Sequence, residues 1–259
     1  MAIIEVNNLV KTYKTIEKED GLLGYFKNLV KPKYNEFTAV NKINFNIEEG
    51  ELVGYIGENG AGKSTTIKML TGLLTPTSGS VLVNGIVPNE KRIQNNKNIG
   101  AVFGQKTQLW WDLPVIESFR LIRQMYKIPE GEYRKNLKKF TEILELDDLL
   151  EKQVKNLSLG QKMRCEIAAT FLHDPKIVYL DEPTIGLDVL VKENIRKFIK
   201  DINKEKNTTV ILTTHDLKDI EDVCNRIILL DKGQIIYDGE KQKFKDTYGK
   251  YIIAEFIIK

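Results

Sequence analysis

A glycine-rich loop in the first quarter of the chain constrains the fold more than any other feature. Residues 57–65 read Gly-Glu-Asn-Gly-Ala-Gly-Lys-Ser-Thr, which has the form G-x-x-x-x-G-K-S. A strand-like apolar run, 51–56, precedes the loop, and 65–70 follow with a helical pattern of apolar residues. Glycines let successive backbone N–H groups point at one anion, and a helix N-terminus favours negative charge. The stretch therefore predicts a phosphate-binding turn between a strand and a helix.

Two side chains at the end of this loop have the chemistry to hold a nucleotide and its metal ion. Lys63 is a cation that can reach β- and γ-phosphates, and the Ser64 hydroxyl suits Mg²⁺. The alternative is a chance glycine turn before a helix. We expect the whole loop to contact the nucleotide, namely Gly57, Glu58, Asn59, Gly60, Ala61, Gly62, Lys63, Ser64 and Thr65.

Composition limits the classes of protein to which the chain can belong. Its 259 residues suit one large domain or one domain with a subdomain. Lys and Arg total 39 and Asp and Glu total 36, and this net charge of +3 neither requires nor excludes an acidic partner. The two cysteines lack CxxC spacing, which favours a reducing compartment. The sequence shows no signal peptide and no apolar run near the roughly 20 residues that span a bilayer, so we expect a cytoplasmic protein.

Strand-like and helical patterns alternate along the chain and favour an α/β fold with a mostly parallel sheet. The continuous apolar run 176–180 is typical of a parallel strand covered on both faces. Residues 9–13 depart from strand patterning after a first strand at 2–6. Helical patterns dominate residues 106–174, and we expect a helical subdomain inserted into the α/β core there.

The sequence predicts an N-terminal amphipathic insertion at about residues 15–36. Apolar side chains recur there at helical spacing, lysines surround them, and Pro32 can end the helix. A basic amphipathic helix can contact lipid headgroups or a membrane partner, and the alternative is packing on its own domain. The apolar positions are Leu22, Leu23, Phe26, Leu29 and Val30.

Six motifs in register give the chain a resemblance to the ATP-binding cassette (ABC) family over nearly its whole length. After the phosphate loop come Gln105, the segment Leu-Ser-Leu-Gly-Gln at 157–161, the strand and carboxylates at 177–182, Gly-Leu-Asp at 186–188, and His215. The stretch 103–111 and the form Ser-Leu-Gly-Gln are similar to ATPase subunits of ABC-2-type exporters. The resemblance implies a single ABC ATPase domain, 1–259, with a P-loop NTPase core, an antiparallel β portion and an inserted helical subdomain.

The carboxylates and the histidine of these motifs suit ATP hydrolysis. Asp181 ends a buried strand and can hold Mg²⁺, and Glu182 can orient an attacking water as a general base. His215 can contact the γ-phosphate and hold the water and Glu182 in place. Gln105 can ligate Mg²⁺ and hydrogen-bond water. The alternatives are solvated turn carboxylates, a structural histidine and an ordinary loop glutamine.

Two further aromatic side chains, Tyr13 and His173, have expected roles. The family has an aromatic that stacks on adenine, and the resemblance implies Tyr13 for this role, with core packing as the alternative. The second histidine, His173, precedes Asp174 and Pro175 at a predicted helix end, and we interpret it as a cap or surface residue.

The Leu-Ser-Leu-Gly-Gln segment predicts a second phosphate-binding device. Ser158 is suited to be the N-cap of the following helix. In the family this device and the phosphate loop belong to opposite faces, which implies that two chains sandwich two ATP molecules head to tail. Leu159 stands where the family usually has glycine, so we expect Ser158, Gly160 and Gln161 to contact the nucleotide. Asp188 is expected at the seam between the chains.

The resemblance implies the ATP-hydrolysing subunit of a membrane transporter, more specifically an exporter. The implied cofactors are ATP and Mg²⁺, and the implied partners are a second ABC ATPase chain, as a homodimer, and a transmembrane permease subunit that holds the protein at the inner face of the membrane. No direct nucleic-acid partner is expected. Trp110, Trp111 and Leu113 either form part of the groove for the permease or pack in their own core. The alternative functions are a soluble ATP-driven clamp on nucleic acid, ribosomes or cluster assembly, and a non-hydrolysing nucleotide binder, which Glu182 and His215 argue against.

Overall fold

The computed structural model describes residues 2–16, 34–104 and 106–247. Its strands are β1 (Ala2–Ile16), β2 (Tyr34–Glu48), β3 (Leu52–Gly57), β4 (Ser78–Val83), β5 (Ile99–Phe103), β6 (Ile177–Asp181), β7 (Thr209–Thr213), β8 (Arg226–Asp231) and β9 (Gln234–Glu240). Its helices are α1 (Lys63–Leu70), α2 (Arg92–Asn96), α3 (Val115–Tyr126), α4 (Glu130–Leu144), α5 (Leu159–Phe171), α6 (Val189–Lys206) and α7 (Leu217–Val223). Two 3₁₀ turns, Asp147–Leu149 and Val154–Asn156, and a helical segment at 241–247 complete these elements.

A six-stranded sheet forms the centre of the fold. Its order is β5-β6-β7-β3-β8-β9, and all neighbouring pairs are parallel except β8 and β9. The interior strands are buried on both faces, as their continuous apolar sequences predict. Because β3, β6 and β7 are neighbouring and parallel, their carboxyl ends lie at one edge, where ligands bind in such sheets. The predicted α/β fold with a mostly parallel sheet and an antiparallel portion is confirmed.

A three-stranded antiparallel sheet, ordered β2-β1-β4, packs beside this core. In β2 the residues Ile43, Phe45 and Ile47 are buried while their neighbours are exposed, which is the alternation of a half-covered strand. The expectation that 9–13 leave the sheet is wrong, because β1 continues to Ile16. Register shifts in the pairing of β1 with β2 lie between positions 2 and 4 and between positions 6 and 12. Such bulges break the period of two and hide the strand from pattern analysis.

The predicted insertion at about 15–36 lies largely outside the described residues, since 17–33 are not described. Its two edges are strand rather than helix, because Thr15 pairs with Asn35 and Ile16 with Tyr34. The amphipathic helix within it therefore stays a prediction.

Helices fill the chain between β5 and β6, which are neighbours in the sheet. The helices α3, α4 and α5 lie there, in agreement with the helical pattern of 106–174. Phe198 of α6 makes edge-to-face contacts with Phe140 and Phe171, so α4 and α5 pack on the helix that follows β6. No helix within 2–16, 34–104 and 106–247 combines the length and the apolar character needed to cross a membrane.

The interpretation of His173 as a cap or surface residue is wrong. Its ring is stacked on Tyr126, with 3.9 Å between centroids, and its Nε2 lies 3.0 Å from the carbonyl oxygen of Ile99. Burial lowers the pKa of His173 to about 4. The residue therefore belongs to the packing between α3, α5 and β5 as a neutral imidazole.

Candidate active site

The phosphate loop is a tight turn that glycines make feasible. Gly57, Gly60 and Gly62 have φ values of 151°, 87° and 106°. A Cβ on Gly57 would lie 2.3 Å from the Leu230 carbonyl oxygen, and one on Gly62 would lie 2.4 Å from the Ala39 carbonyl oxygen. The loop is thus pressed against the backbone of β8 on one side and β2 on the other.

The start of α1 offers unsatisfied donors to an anion. Its N-cap is Gly62, which has no side chain to accept a hydrogen bond. Among the described residues, no group accepts a hydrogen bond from the backbone N–H of Lys63, Ser64 or Thr65. Free N–H groups and the positive end of the helix dipole together suit a phosphate group. The local structure thus fits the triphosphate of ATP.

Lys63 lies beneath the loop with its ammonium group held close. It is only 6% exposed, and its Nζ donates to the carbonyl oxygens of Gly57 at 2.7 Å and Glu58 at 3.0 Å. Burial lowers the pKa of Lys63, while the negative charges of Glu182 and Asp181 oppose this shift. The ammonium therefore lies within electrostatic reach of both carboxylates at the end of β6.

Oxygen donors suited to Mg²⁺ surround this position. Asp181 is the last residue of β6, and its Oδ1 accepts a hydrogen bond from the hydroxyl of Thr213 on β7. The Ser64 hydroxyl in the first turn of α1 is half-buried. Hydroxyl and carboxylate oxygens are the ligands that Mg²⁺ prefers, usually completed by phosphates and water. The third predicted ligand, Gln105, lies outside the described residues.

The end of β6, the end of β7 and the phosphate loop meet at one histidine. His215 Nε2 lies 2.8 Å from Glu182 Oε1 and 3.0 Å from Asn59 Oδ1. The Glu182 N–H donates to the Thr213 carbonyl oxygen at 2.9 Å, and its φ of 54° is left-handed. Since the His215 side chain is 45% exposed, solvent reaches this pair. The arrangement can hold a water between a carboxylate and an imidazole.

The second predicted phosphate device is formed as a helix cap. Ser158 Oγ accepts from the Gln161 N–H at 3.2 Å, and Gln161 Oε1 accepts from the Ser158 N–H at 3.0 Å. This capping box confirms Ser158 as the N-cap of α5. Asp188 caps α6 with a single bond, its Oδ1 accepting from the Val191 N–H at 2.9 Å. Within the described chain neither cap bonds to residues 57–65, so a single protomer does not join the two devices.

The residues around this cap show how a leucine is accommodated in the motif. Leu159 is 38% exposed, and a Cβ on Gly186 would lie 3.2 Å from Leu159 Cδ2. Gly160 lies against Val191. The leucine thus packs on the loop between β6 and α6, while Ser158 is exposed and Gly160 is half-buried.

The aromatic candidates are exposed. Tyr13 lies opposite Phe37 in the β1–β2 pair and is 36% exposed, and Lys11 Nζ lies 5.5 Å from its ring centroid. Trp110 and Trp111 are 39% and 52% exposed, so they do not pack in their own core. Lys162 of α5 lies over the Trp111 ring at 4.1 Å.

A polar cluster next to Glu182 and His215 is not predicted by the sequence. The buried Asp219 of α7 accepts hydrogen bonds from Thr184 and Thr214 and pairs with Arg196 of α6. The cluster borders a cleft of about 470 Å³. The only sequence signal is the spacing of acidic residues in α7, which is equally typical of a solvated face. The cleft is lined by Glu182, Thr184, Ile185, Gly186, Lys192, Thr214, His215, Asp216 and Leu217.

Comparison with known proteins decides the family. The sequence model described as "ABC transporter" matches residues 40–185, which is more than half of the chain. The chain belongs to the ABC transporter family. It carries the family's ATP-binding ATPase domain on a P-loop NTPase core, as the resemblance implied.

Relatives of this ABC ATPase domain include both short and long proteins. The linearmycin resistance ATP-binding protein LnrL of Bacillus subtilis is 34% identical over 88% of this chain and 73% of its own length. ABC transporter A family member 8 of Dictyostelium discoideum is 34% identical over 92% of this chain. The chain spans only 28% of the length of that protein and 27% of family member 1 from the same organism.

Solved ABC structures share the architecture. The ATP-binding subunit of an ABC transporter superposes with a TM-score of 0.80 at 26% identity, covering 95% of this chain and 93% of that one. The cassette MJ0796, in a dimeric post-hydrolysis state bound to ADP and Pi, gives a TM-score of 0.75 at 28% identity, covering 92% and 98%.

Proposed function

We propose that the chain is the ATP-hydrolysing subunit of an ABC exporter that drives a separate transmembrane permease. The observation that carries the proposal is the contact of His215 with both Glu182 and Asn59. It joins a general base, an imidazole and the phosphate loop at the carboxyl edge of the sheet. Such an arrangement suits in-line transfer of a phosphoryl group to water.

Each residue has a chemical task in this proposal. The backbone of 57–65 and Lys63 hold the phosphates, and Glu182 accepts a proton from the attacking water. His215 holds Glu182 and the water in line with the γ-phosphate. Bound Mg²⁺, held by Ser64, Asp181 and Gln105, would neutralise charge that develops on the phosphate oxygens. Tyr13 stacks on adenine.

A second copy of the chain completes the site. Ser158, Gly160 and Gln161 contact the nucleotide held by the partner, and Asp188 lies at the seam between the protomers. Two observations support this: the cap of α5 is exposed and makes no described bond to the phosphate loop, and the cassette MJ0796 is dimeric. We propose a homodimer with two ATP molecules at its interface.

The membrane partner contacts the surface formed by Trp110, Trp111 and Leu113. The exposed tryptophans support this, since exposed apolar patches often mark interfaces. Relatives are named as a linearmycin resistance protein and, in Escherichia coli, a probable multidrug ABC transporter ATP-binding protein, which supports export. The permease holds the cassette at the inner face of the membrane. Residues 106–174 act as a helical subdomain within the single domain 1–259.

Replacement of Glu182 tests the ATPase assignment. In Glu182→Gln we expect the kcat for ATP hydrolysis to fall by about a hundredfold or more, because the general base is lost. ATP binding should remain, because the phosphate loop is unchanged, and the ATP-bound variant should accumulate as a dimer in size-exclusion chromatography. Glu193→Gln is the control, since Glu193 of α6 is 52% exposed and lies outside the site. Unchanged turnover in Glu182→Gln would refute the assigned role.

Replacement of Trp111 tests the membrane partner. Trp111→Ala should keep its fold and basal ATPase activity but no longer copurify with a polytopic membrane protein after mild detergent extraction. Ile93→Ala, which removes an 80% exposed side chain from α2, is the matched control. If Trp111→Ala unfolds, or copurifies as well as the control, this surface is not the docking site.

A further inference from the structure

Asp219 is a buried carboxylate whose two oxygens are both occupied. Its relative exposure is 0%. Oδ1 accepts a hydrogen bond from Arg196 Nε at 2.6 Å. Oδ2 accepts from the hydroxyl of Thr214 at 2.8 Å and also from the hydroxyl of Thr184. Hydrogen bonds to ionised groups are roughly twice as strong as neutral ones, so this carboxylate fixes both threonines firmly.

The two threonines belong to the two segments that carry the reacting groups. Thr184 lies two residues after Glu182, and Thr214 directly precedes His215. The Thr214 hydroxyl also accepts from the Asp216 N–H at 3.0 Å, so it holds the backbone on both sides of His215. A single oxygen atom of Asp219 therefore links the backbone after Glu182 to the backbone before His215.

Arg196 pairs with this carboxylate inside the fold. Arg196 is 4% exposed and also lies 3.5 Å from Asp216 and 3.7 Å from Asp222. A buried ion pair of this kind rarely adds net stability over a hydrophobic pair, because both charges lose their hydration. Its use here is geometric, since one oxygen of the carboxylate faces Arg196 while the other accepts from two separate loops.

We propose that Asp219, fixed by Arg196, is a positioning residue that holds Glu182 and His215 at their contact distance during ATP hydrolysis. The inference rests on the proposed roles of those two residues. Loss of the link leaves each loop free to shift by a fraction of an ångström to an ångström. A displacement of this size at reacting groups costs on the order of a hundredfold in rate. The phosphate loop is not touched by Asp219, so ATP affinity does not depend on it.

The test separates turnover from binding. In Asp219→Asn, we expect the kcat for ATP to fall between about tenfold and a hundredfold. The KM and the equilibrium affinity for ATP should stay within about twofold of those of the unchanged protein. Both are measured well below the unfolding temperature of the variant. The amide cannot accept from Arg196 and from both threonines at once. Asp222→Asn is the matched control, because this 40% exposed carboxylate in α7 contacts the same arginine but neither threonine. It should turn over ATP like the unchanged protein.

Two further measurements distinguish positioning from general stability. In a His215→Ala background, Asp219→Asn should cause no additional loss of kcat, because its effect passes through the Glu182–His215 pair. Thr214→Val should reproduce the loss and Thr214→Ser should rescue it, since serine keeps the hydroxyl. These threonine variants leave the Asp219–Arg196 pair intact and decide the question if Asp219→Asn does not fold.

The inference is overturned if folded Asp219→Asn or Thr214→Val keeps its kcat, if ATP affinity falls in parallel with kcat, or if the losses of Asp219→Asn and His215→Ala are additive. The proposed function fails by a different result. If Glu182→Gln and His215→Ala themselves turn over ATP normally, the assignment of the reacting groups is wrong, whatever Asp219 does.

Discussion

The burial of His173 predicts that acid destabilises the folded chain at a pH where most carboxylates are still ionised. The neutral ring donates from Nε2 to the Ile99 carbonyl oxygen and stacks on Tyr126. Its Nδ1 is buried with no hydrogen-bond partner in the described residues. Burial of the ring lowers the pKa of His173 to about 4, and a proton added at Nδ1 would be a buried donor without an acceptor. The hydrogen bond to the Ile99 carbonyl oxygen and the neighbouring Asp174 oppose this lowering of the pKa only in part.

The sign of the effect follows from linkage. The pKa is lower in the folded state than the unfolded value of 6.5, so between these two values the unfolded chain binds more protons. The contribution of His173 to stability is therefore complete above pH 6.5 and is lost as the pH falls toward 4. At about 1.4 kcal/mol per pKa unit, the loss between pH 7 and pH 5 is about 2 kcal/mol.

The assay compares urea unfolding at pH 7 and pH 5 for the unchanged chain and for His173→Gln. Glutamine can still donate to Ile99 but does not titrate, so the variant should lose about 2 kcal/mol less over this range. The chain has only two histidines, so His215→Ala leaves His173 as the single imidazole signal in the NMR spectrum. If that signal titrates near 6.5, or if both proteins lose equal stability, the buried neutral state is refuted.

Three more substitutions follow from the structure. Gly62→Ala should lower the free energy of unfolding by about 1–3 kcal/mol and weaken ATP binding, because residue 62 has a φ of 106° and a Cβ there would meet a carbonyl oxygen. Gly60→Ala is the control, because no atom lies within 4 Å of a Cβ at that position. It should lower the free energy of unfolding less, measured by denaturant unfolding. Glu166→Ala should cost about 2–4 kcal/mol in the same assay, because this buried carboxylate accepts from the Thr107 hydroxyl and the Gln108 N–H. Ser158→Ala should lower the free energy of unfolding by about 1 kcal/mol through loss of the helix cap. It should also abolish ATP-dependent dimerisation, measured by light scattering. A variant that still dimerises would contradict the proposed contact of Ser158 with the nucleotide of the partner protomer.

The central sheet and the site at its edge were predictable because their signals are local. The phosphate loop is contiguous, and the carboxylates follow directly on the buried strand β6. Parallel pairing then brings the ends of β3, β6 and β7 together, so topology alone places Glu182 and His215 near one another. Ser158 as an N-cap likewise follows from one residue and the helix after it.

The features that were missed depend on contacts between distant residues. The bulges of β1 are set by its pairing with β2 and leave no regular pattern in the sequence. His173 is buried by Tyr126, which lies on another helix. Thr184 and Asp219 are 35 residues apart, and no spacing rule connects a hydroxyl in a loop to a carboxylate in a later helix.

The left-handed backbone of Glu182 has a consequence for engineering. A φ of 54° is unfavourable for most side chains, whereas glycine lacks the β-carbon that causes the strain and asparagine tolerates the angle through its short polar side chain. Random mutagenesis followed by selection for heat resistance alone should therefore enrich glycine or asparagine at this position, and the survivors would be robust but inactive. Directed evolution of this cassette needs turnover as a second selection criterion.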